Sequence, residues 1–165
     1  MIRISNHLKQ NKGAAMVEMA LILPLLMALL FGIIEFGWML RTYQAVGQAA
    51  REGARSGALG SDTGTIDSRV VDTARDVYQL DPARFGNPKT FEYRTYVRSG
   101  SDWVLGTDWT EFTSGNPAAA DAANYSQIRV TLTYNYPLIT GGLFSWLNGG
   151  NNFVTLKQSI VMRKE

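Results

Sequence analysis

The hydrophobic and polar positions are distributed unevenly along the chain, with one long apolar run close to the N-terminus. No charged residue stands between Glu18 and Glu35. Because a helix crosses a bilayer with roughly 20 mostly apolar residues, residues 14–40 are predicted to form a single membrane-spanning helix. Residues 41–58 are rich in Ala, Gln, Arg and Glu, which favour helix. The helix is therefore expected to continue past the membrane and to end near Gly60.

The segment after this helix is predicted to form a second, shorter helix over residues 66–79. Its apolar positions recur at a spacing of three to four residues: Ile66, Val70, Ala74 and Val77. Thr65 is placed to cap its start, and the Leu-Asp-Pro stretch at 80–82 ends it. In the first helix, Gly53 and Gly57 lie one turn apart, so they permit another element to pack closely against that face.

From residue 90 onward the apolar pattern changes to a period of two, which is typical of strands. On the clearest strand the apolar side chains share one face: Ile128, Val130, Leu132, Tyr134 and Tyr136. Strands are predicted at residues 90–98, 103–105, 109–112, 127–136 and 153–162. A loop at 114–124 and an apolar connection at 138–147 join them. Two helices followed by strands predict an α+β fold in which an antiparallel sheet packs on the helices.

Composition narrows the range of functions. The chain has 165 residues with 16 Lys and Arg against 14 Asp and Glu, a balance that predicts no nucleic-acid partner. It contains no cysteine, and its single histidine is His7. Thiolate metal sites and cysteine nucleophiles are thus excluded, and a serine–histidine–aspartate triad would depend on one residue of the basic N-terminal arm. We predict no enzyme, no cofactor and no metal site, with a membrane-anchored enzyme as a remaining alternative.

The apolar run has two alternative interpretations. The first is a core helix of a globular domain. The second is a secretory signal peptide with a late cleavage site among the small residues at 45–50.

The orientation of the helix in the membrane does not follow from the local charges, because three basic residues stand on each side of the run. The long domain that follows, together with Trp38 and Tyr43 as an aromatic belt, predicts a cytoplasmic N-terminus and an extracytoplasmic domain. The flanking basic residues are Arg3, Lys9, Lys12, Arg41, Arg51 and Arg55.

Two acids and a proline interrupt the apolar character of the run. A carboxylate at the centre of a bilayer costs about 2.5–3.5 kcal/mol, so Glu18 requires an explanation. Either it interacts with the positive end of the helix dipole, or it pairs with a cation. Cleavage after Gly13 would create an amino group on Ala14, four residues before Glu18 and on the same helix face. Glu35 lies about 25 Å further along the helix, where it is expected at the far interface, and Pro24 is expected to kink the helix.

The run from Gly13 to Glu18, continued to the Phe-Gly-Ile-Ile-Glu-Phe-Gly stretch at 31–37, resembles a class III prepilin signal of the type IV pilin superfamily. It is particularly similar to TadE-like minor pilins, or pseudopilins, of the tight-adherence (Flp) pilus system. Residues 48–55 resemble the family's stretch after the membrane helix, and residues 161–165 do so more weakly.

The resemblance implies a basic leader at 1–13, cut from the chain by a prepilin peptidase between Gly13 and Ala14, and a recognition role in processing and assembly for Glu18. Met19 stands where major Flp pilins usually carry Tyr. Removal of thirteen of the 165 residues leaves 152, far more than a major Flp pilin has.

These observations predict three segments and one function. The leader at 1–13 precedes the transmembrane helix at 14–40 and an extracytoplasmic, pilin-like α+β domain at 41–165. The protein is expected to be a processed minor pilin or pseudopilin that acts in assembly of a tight-adherence pilus from the inner membrane. Its expected partners are the prepilin peptidase, other pilins and pseudopilins, the inner-membrane assembly platform and the lipid bilayer. The alternative is an unprocessed, single-pass anchored envelope domain that binds a protein partner.

Overall fold

The computed structural model describes residues 7–86, 89–112, 125–141 and 149–164. Its internal contacts divide the chain into two compact units, Met1–Trp38 and Met39–Glu165. One helix, α1 (His7–Ala58), contributes to both units and contains Pro24 in its interior. The prediction that the apolar helix continues beyond residue 40 is confirmed.

Helix α1 ends at Ala58, close to the predicted position, because Gly60 adopts a left-handed conformation with φ +86°. The Ser61 amide donates to the Ser56 carbonyl at 3.2 Å, and the Gly60 amide donates to the Gly57 carbonyl at 2.9 Å. This pair of bonds forms a Schellman motif, which satisfies carbonyls that a helix end otherwise leaves unpaired. The chain can therefore reverse direction within a few residues.

The second helix begins earlier than predicted. Helix α2 (Thr63–Asp72) is capped by Asp62, whose carboxylate accepts a hydrogen bond of 2.9 Å from the Thr65 amide. The prediction that Thr65 is the capping residue is thus wrong, because an aspartate three residues upstream supplies the acceptor. A π-helical turn (Thr73–Val77) extends α2 directly.

The described residues form five strands: β1 (Thr90–Ser99), β2 (Asp102–Leu105), β3 (Thr110–Glu111), β4 (Tyr125–Pro137) and β5 (Phe153–Arg163). They form an antiparallel sheet in the order β2-β1-β4-β5, with β3 paired to β1. A short 3₁₀ turn (Pro82–Arg84) precedes β1. All five strands were predicted within a few residues, and the α+β fold class is confirmed.

The core of the second unit lies between the sheet and the helices. The five apolar side chains predicted to share a face of β4 are buried, and they pack with α2 and with the end of α1. A β-carbon on Gly53 would stand 2.5 Å from Val70 Cγ2, and one on Gly57 would stand 2.6 Å from Ile128 Cδ1. The predicted close approach at these two glycines is therefore confirmed, and it holds α1 against both α2 and the sheet.

Some predictions fall on residues that the structure does not describe. The loop predicted at 114–124 and most of the apolar connection predicted at 138–147 lie outside the described residues. The same holds for the first six residues of the predicted leader.

Candidate functional site

The first unit presents an apolar surface to its surroundings. Every large apolar side chain from Met16 to Phe36 is exposed. Within the described residues, one helix is long and apolar enough to cross a membrane, and no part of its most apolar window is buried in the protein. This exposure disfavours the alternative of a core helix, since the apolar side chains of such a helix would be buried. A single-pass membrane anchor fits the length and exposure of this helix.

The residues predicted to form the processing site lie together on this helix. Gly13, Ala14 and Glu18 are all exposed in α1, and nothing in the described chain comes within 4 Å of a β-carbon built on Gly13. Ala14 and Glu18 are four residues apart, which places them on one helix face with a rise of about 6 Å. All three residues are thus accessible from the side of the helix.

The extent of α1 toward the N-terminus distinguishes between the two explanations of Glu18. The helix already includes His7, the first described residue, eleven residues before Glu18, whereas the effect of the helix dipole falls off within the first turn. In the uncut chain, the dipole therefore does not stabilise the Glu18 carboxylate. None of the ion pairs among the described residues involves Glu18.

The same helix also places the Gly13–Ala14 bond inside regular helical structure. The residues around a peptide bond must unwind from the helix before a protease can bind them in an extended conformation. Apart from proline, glycine favours this unwinding most, since it lowers the stability of a helix by about 1 kcal/mol relative to alanine. Gly13 is therefore a local weak point next to the bond that the resemblance marks for cleavage.

The second acid of the apolar run differs from the first. Glu35 is only 6% exposed, whereas Glu18 is exposed. The sequence placed Glu35 at an interface with solvent or lipid headgroups and gave no sign of this burial. The two carboxylates therefore differ in exposure, and Glu18 is the exposed one.

A polar cluster that the sequence did not predict lies on the outer face of the sheet. Arg129 donates two hydrogen bonds of 2.6 Å to Glu92, and Arg94 donates two of 2.9 and 2.6 Å to Gln127. The ring of Trp109 covers both guanidinium groups, at 4.2 Å from Arg129 and 4.7 Å from Arg94. Strand alternation places these residues on one face, but only the register of β1 against β4 brings them together. The guanidinium groups are already paired, so the cluster joins strands and is not an open anion site.

Metal chemistry has no evident location. Within the described ranges, no group of three or more His, Asp or Glu side chains is arranged to hold a metal ion. The arrangement at Gly13, Ala14 and Glu18 instead places a peptide bond and an exposed carboxylate about one turn apart on an apolar helix.

Comparison with known proteins finds a match to the N-terminal part of the chain. Residues 13–55 match the family model described as TadE-like protein. No curated protein and no solved structure matches the chain. Helix α2 and the five strands lie outside the matched segment. The match spans 43 of the 165 residues and confirms the resemblance of this N-terminal segment to TadE-like proteins.

Proposed function

We propose that the chain is a minor pilin or pseudopilin that is cut between Gly13 and Ala14 by a prepilin peptidase and then acts in assembly of a tight-adherence pilus. The observation that carries the proposal is the position of Glu18. It is an exposed carboxylate in an apolar helix, one turn beyond a glycine at which the helix is easily opened, and too far from His7 to be stabilised by the dipole of the uncut helix.

Cleavage changes the electrostatics of this turn in two ways. Hydrolysis of the Gly13–Ala14 bond adds water, leaves a carboxylate on Gly13 and creates an ammonium group on Ala14. The helix then starts at Ala14, so the free amides of its first turn come within reach of Glu18. Both changes favour the ionised carboxylate, which in a bilayer otherwise costs about 2.5–3.5 kcal/mol.

Removal of the leader also releases the helix from the cytoplasmic face. The leader carries Arg3, Lys9 and Lys12, and cations resist movement into the hydrocarbon region. Without them, the apolar surface between Met16 and Phe36 is free to exchange lipid for the helices of other subunits. Because lipid tails are as apolar as these side chains, the Ala14 ammonium and the Glu18 carboxylate of neighbouring helices add direction to the packing.

The proposed topology places the N-terminus in the cytoplasm and the domain at 41–165 outside the inner membrane. Trp38 and Tyr43 are exposed, as aromatic residues at a membrane interface would be. The partners are then the peptidase on the cytoplasmic side, other pilins and the assembly platform within the membrane, and lipid around the helix. The protein acts by assembly and is not an enzyme.

The signal-peptide alternative is disfavoured by the core of the second unit. The late cleavage site would fall at residues 45–50, where Ala45, Val46, Ala49 and Ala50 are buried. These side chains belong to the core formed with α2 and the sheet, so a cut there would disrupt the domain that the signal peptide is meant to export. The small residues at 45–50 instead allow close packing of α1.

The N-terminus of the protein isolated from membranes of its native host tests the proposal. Intact-mass spectrometry is expected to find a chain that starts at Ala14 in the wild type and an uncut chain in a Gly13→Val variant. Gly37→Val is a matched control, because Gly37 lies in the same helix and a β-carbon there also meets nothing within 4 Å. It is expected to be cut like the wild type. A wild-type protein that keeps its first thirteen residues in a host with normal pili would overturn the proposal in favour of an uncut, anchored envelope domain.

A further inference from the structure

The two edges of the sheet are open along the described chain. Strand β5 pairs with β4 through eleven consecutive residue pairs without a bulge, and no other described strand pairs with it. On the opposite side, β2 and β3 follow one another along β1 and form the second edge. Long, regular edges invite pairing with another strand, and soluble domains usually interrupt them with proline, bulges or short strands. Strand β5 has none of these devices.

The two edges carry opposite charge. Strand β5 contains Lys157 and Arg163 and no acid, and Lys164 and Glu165 follow it in the sequence. Residues 99–112, which include β2 and β3, contain three acids and no basic residue: Asp102, Asp108 and Glu111. The three acids are exposed, and so are Lys157 and Arg163. The sheet is therefore polarised, with a basic β5 edge and an acidic edge formed by β2 and β3.

The strand directions allow the two edges to meet in copies of the same orientation. Every neighbouring pair in the order β2-β1-β4-β5 is antiparallel, so β2 and β5 run in opposite directions within one copy. When a second copy stands beside the first in the same orientation, its β2 is antiparallel to the first copy's β5. The alternation of the sheet would thus continue without interruption from one copy into the next.

The side chains on the outer face agree with this arrangement. Glu111 lies opposite Glu92 in the β1–β3 ladder, and Glu92 bonds to Arg129 on the outer face. Lys157 and Arg163 alternate with the inward-facing Leu156 and Met162 of β5 and so lie on that outer face too. The basic edge therefore presents its cations on the face on which the acidic edge presents Glu111. Opposite charges on neighbouring strands stabilise their pairing, and like charges destabilise it.

We propose that the β5 edge of one copy pairs with the β2–β3 edge of a second copy of this chain. The interface is head-to-tail and not two-fold symmetric, since pairing of β5 with another β5 would bring basic strands together. Such an interface leaves one edge free at each end and generates open arrays or rings. It involves none of the residues of the N-terminal site, so it does not depend on cleavage at Gly13.

Cross-linking of the full chain in phospholipid vesicles tests the interface, and the absence of native cysteine makes the experiment specific. Val161→Cys marks the β5 edge and Val104→Cys marks β2, since both side chains are exposed. With a flexible bismaleimide, a mixture of the two single-cysteine chains is expected to give a mixed dimer at least fivefold more abundant than the dimer of either chain alone. A chain with both cysteines is expected to give a ladder of multimers. Equal or greater cross-linking of Val161→Cys with itself would overturn the proposal.

Charge reversal supplies the second measurement. In the double-cysteine chain, Lys157→Glu with Arg163→Glu is expected to reduce the yield of cross-linked multimers at least fivefold. Arg51→Glu with Arg69→Glu makes the same change of net charge at exposed positions in α1 and α2 and is expected to leave it unchanged.

Reversal of the charges of both edges in one chain, by adding Asp102→Lys and Glu111→Lys, is expected to restore the yield of cross-linked multimers. If the yield stays as low as with the charges of one edge reversed, the loss comes from misfolding or another contact, and the proposed pairing is wrong. The uncut Gly13→Val chain is expected to cross-link like the wild type, so failure here and failure of the proposed processing are distinguishable.

Discussion

The Arg129 guanidinium donates two hydrogen bonds of 2.6 Å to the Glu92 carboxylate, across the junction of β4 and β1. The two residues stand directly opposite one another in the ladder, and their side chains are 28% and 18% exposed. The indole ring of Trp109 lies 4.2 Å above the guanidinium carbon, so one arginine holds β1, β4 and the loop before β3 together. The pair is bidentate, which is the arrangement in which arginine pairs best with a carboxylate.

Glu92→Gln is expected to lower the free energy of unfolding by about 1 kcal/mol. The amide keeps the size of the side chain but removes the charge that both hydrogen bonds use, and Arg129 stays under Trp109 without its counter-ion. Glu111→Gln is the matched control, because Glu111 is exposed on the adjacent strand directly opposite Glu92. Denaturant unfolding of the full chain in detergent micelles, followed by tryptophan fluorescence, measures both. Equal effects of the two substitutions would mean that the ion pair adds nothing.

Gly57→Ala is expected to destabilise the domain by about 1–3 kcal/mol, although alanine favours helix. The added β-carbon would stand 2.6 Å from Ile128 Cδ1 and 3.1 Å from Ile66 Cδ1, so α1 would have to move away from the sheet. Gly47→Ala is the control in the same helix, where the nearest atom is the flexible end of Gln158 at 3.5 Å. It is expected to be neutral or stabilising by up to about 1 kcal/mol.

A second-site change separates this clash from a general effect of alanine. Ile128→Val removes the Cδ1 atom that the new methyl group would meet. Alone, the change is expected to cost about 0.5–1.5 kcal/mol. Combined with Gly57→Ala, it is expected to cost less than the sum of the two, as measured by a double-mutant cycle in the same unfolding assay. Strict additivity of the two costs would show that the two positions do not meet.

The elements of this fold were predictable from periodicity because each has a local signal. The spacing of Gly53 and Gly57 predicted close packing of another element against α1, and the alternation along β4 predicted its buried face. The structure confirms both predictions. The partners of these surfaces were not predictable, because the meeting of Gly57 with Ile128 depends on contacts 71 residues apart in the sequence. Local pattern determines which face is buried, and only the packed chain determines what covers it.

The polar contacts were less predictable than the elements. Two acceptors compete for the first turn of α2, and Asp62 caps it in place of the predicted Thr65, because the helix starts at Thr63. The pair of Glu92 and Arg129 required the register of β1 against β4, which a period of two leaves open. The residues proposed for processing, in contrast, are close together in the sequence, and their role rests on the resemblance of this segment. For this reason the N-terminal site could be proposed from the sequence, while the charged sheet edges became visible only in the sheet order.

The cap of α2 predicts a dependence of stability on pH. Hydrogen bonds from the Thr65 side chain and backbone lower the pKa of Asp62 below its ordinary value. A lowered pKa in the folded state means that the contribution to stability is present above the unfolded pKa and is lost as the pH falls through the folded value.

Compared with Asp62→Asn, the wild type is therefore expected to have an advantage that is constant at neutral pH and decreases below about pH 4. Thermal unfolding of both chains over a pH series measures the difference. Asp76, whose pKa is lowered by the hydrogen bond and charge of Arg75, titrates in both chains and cancels. A difference that does not change with pH would mean that the cap works without its charge.

Glu18→Ala tests the pairing role of the acid in the apolar helix. The substitution removes the cost of placing a carboxylate in lipid, about 2.5–3.5 kcal/mol at the bilayer centre, so membrane insertion is expected to be retained or improved. Loss of the partner of the Ala14 ammonium is expected to reduce pilus number strongly. Counting pili by electron microscopy, in a host whose only copy is the variant, measures the effect.

Two further variants define what the site requires of the residue at this position. Glu18→Asp keeps the charge but shortens the side chain, and it is expected to retain part of the pili. Glu18→Gln keeps the length but not the charge, and it is expected to behave like Glu18→Ala. Each variant is also analysed by mass spectrometry, because a chain that is no longer cut at Ala14 would lose pili for want of processing. The contrary result is normal pili in a Glu18→Ala strain whose protein starts at Ala14. The amino group would then lie in the membrane without its carboxylate, and the subunits would still associate. Assembly would therefore need no ion pair at this turn.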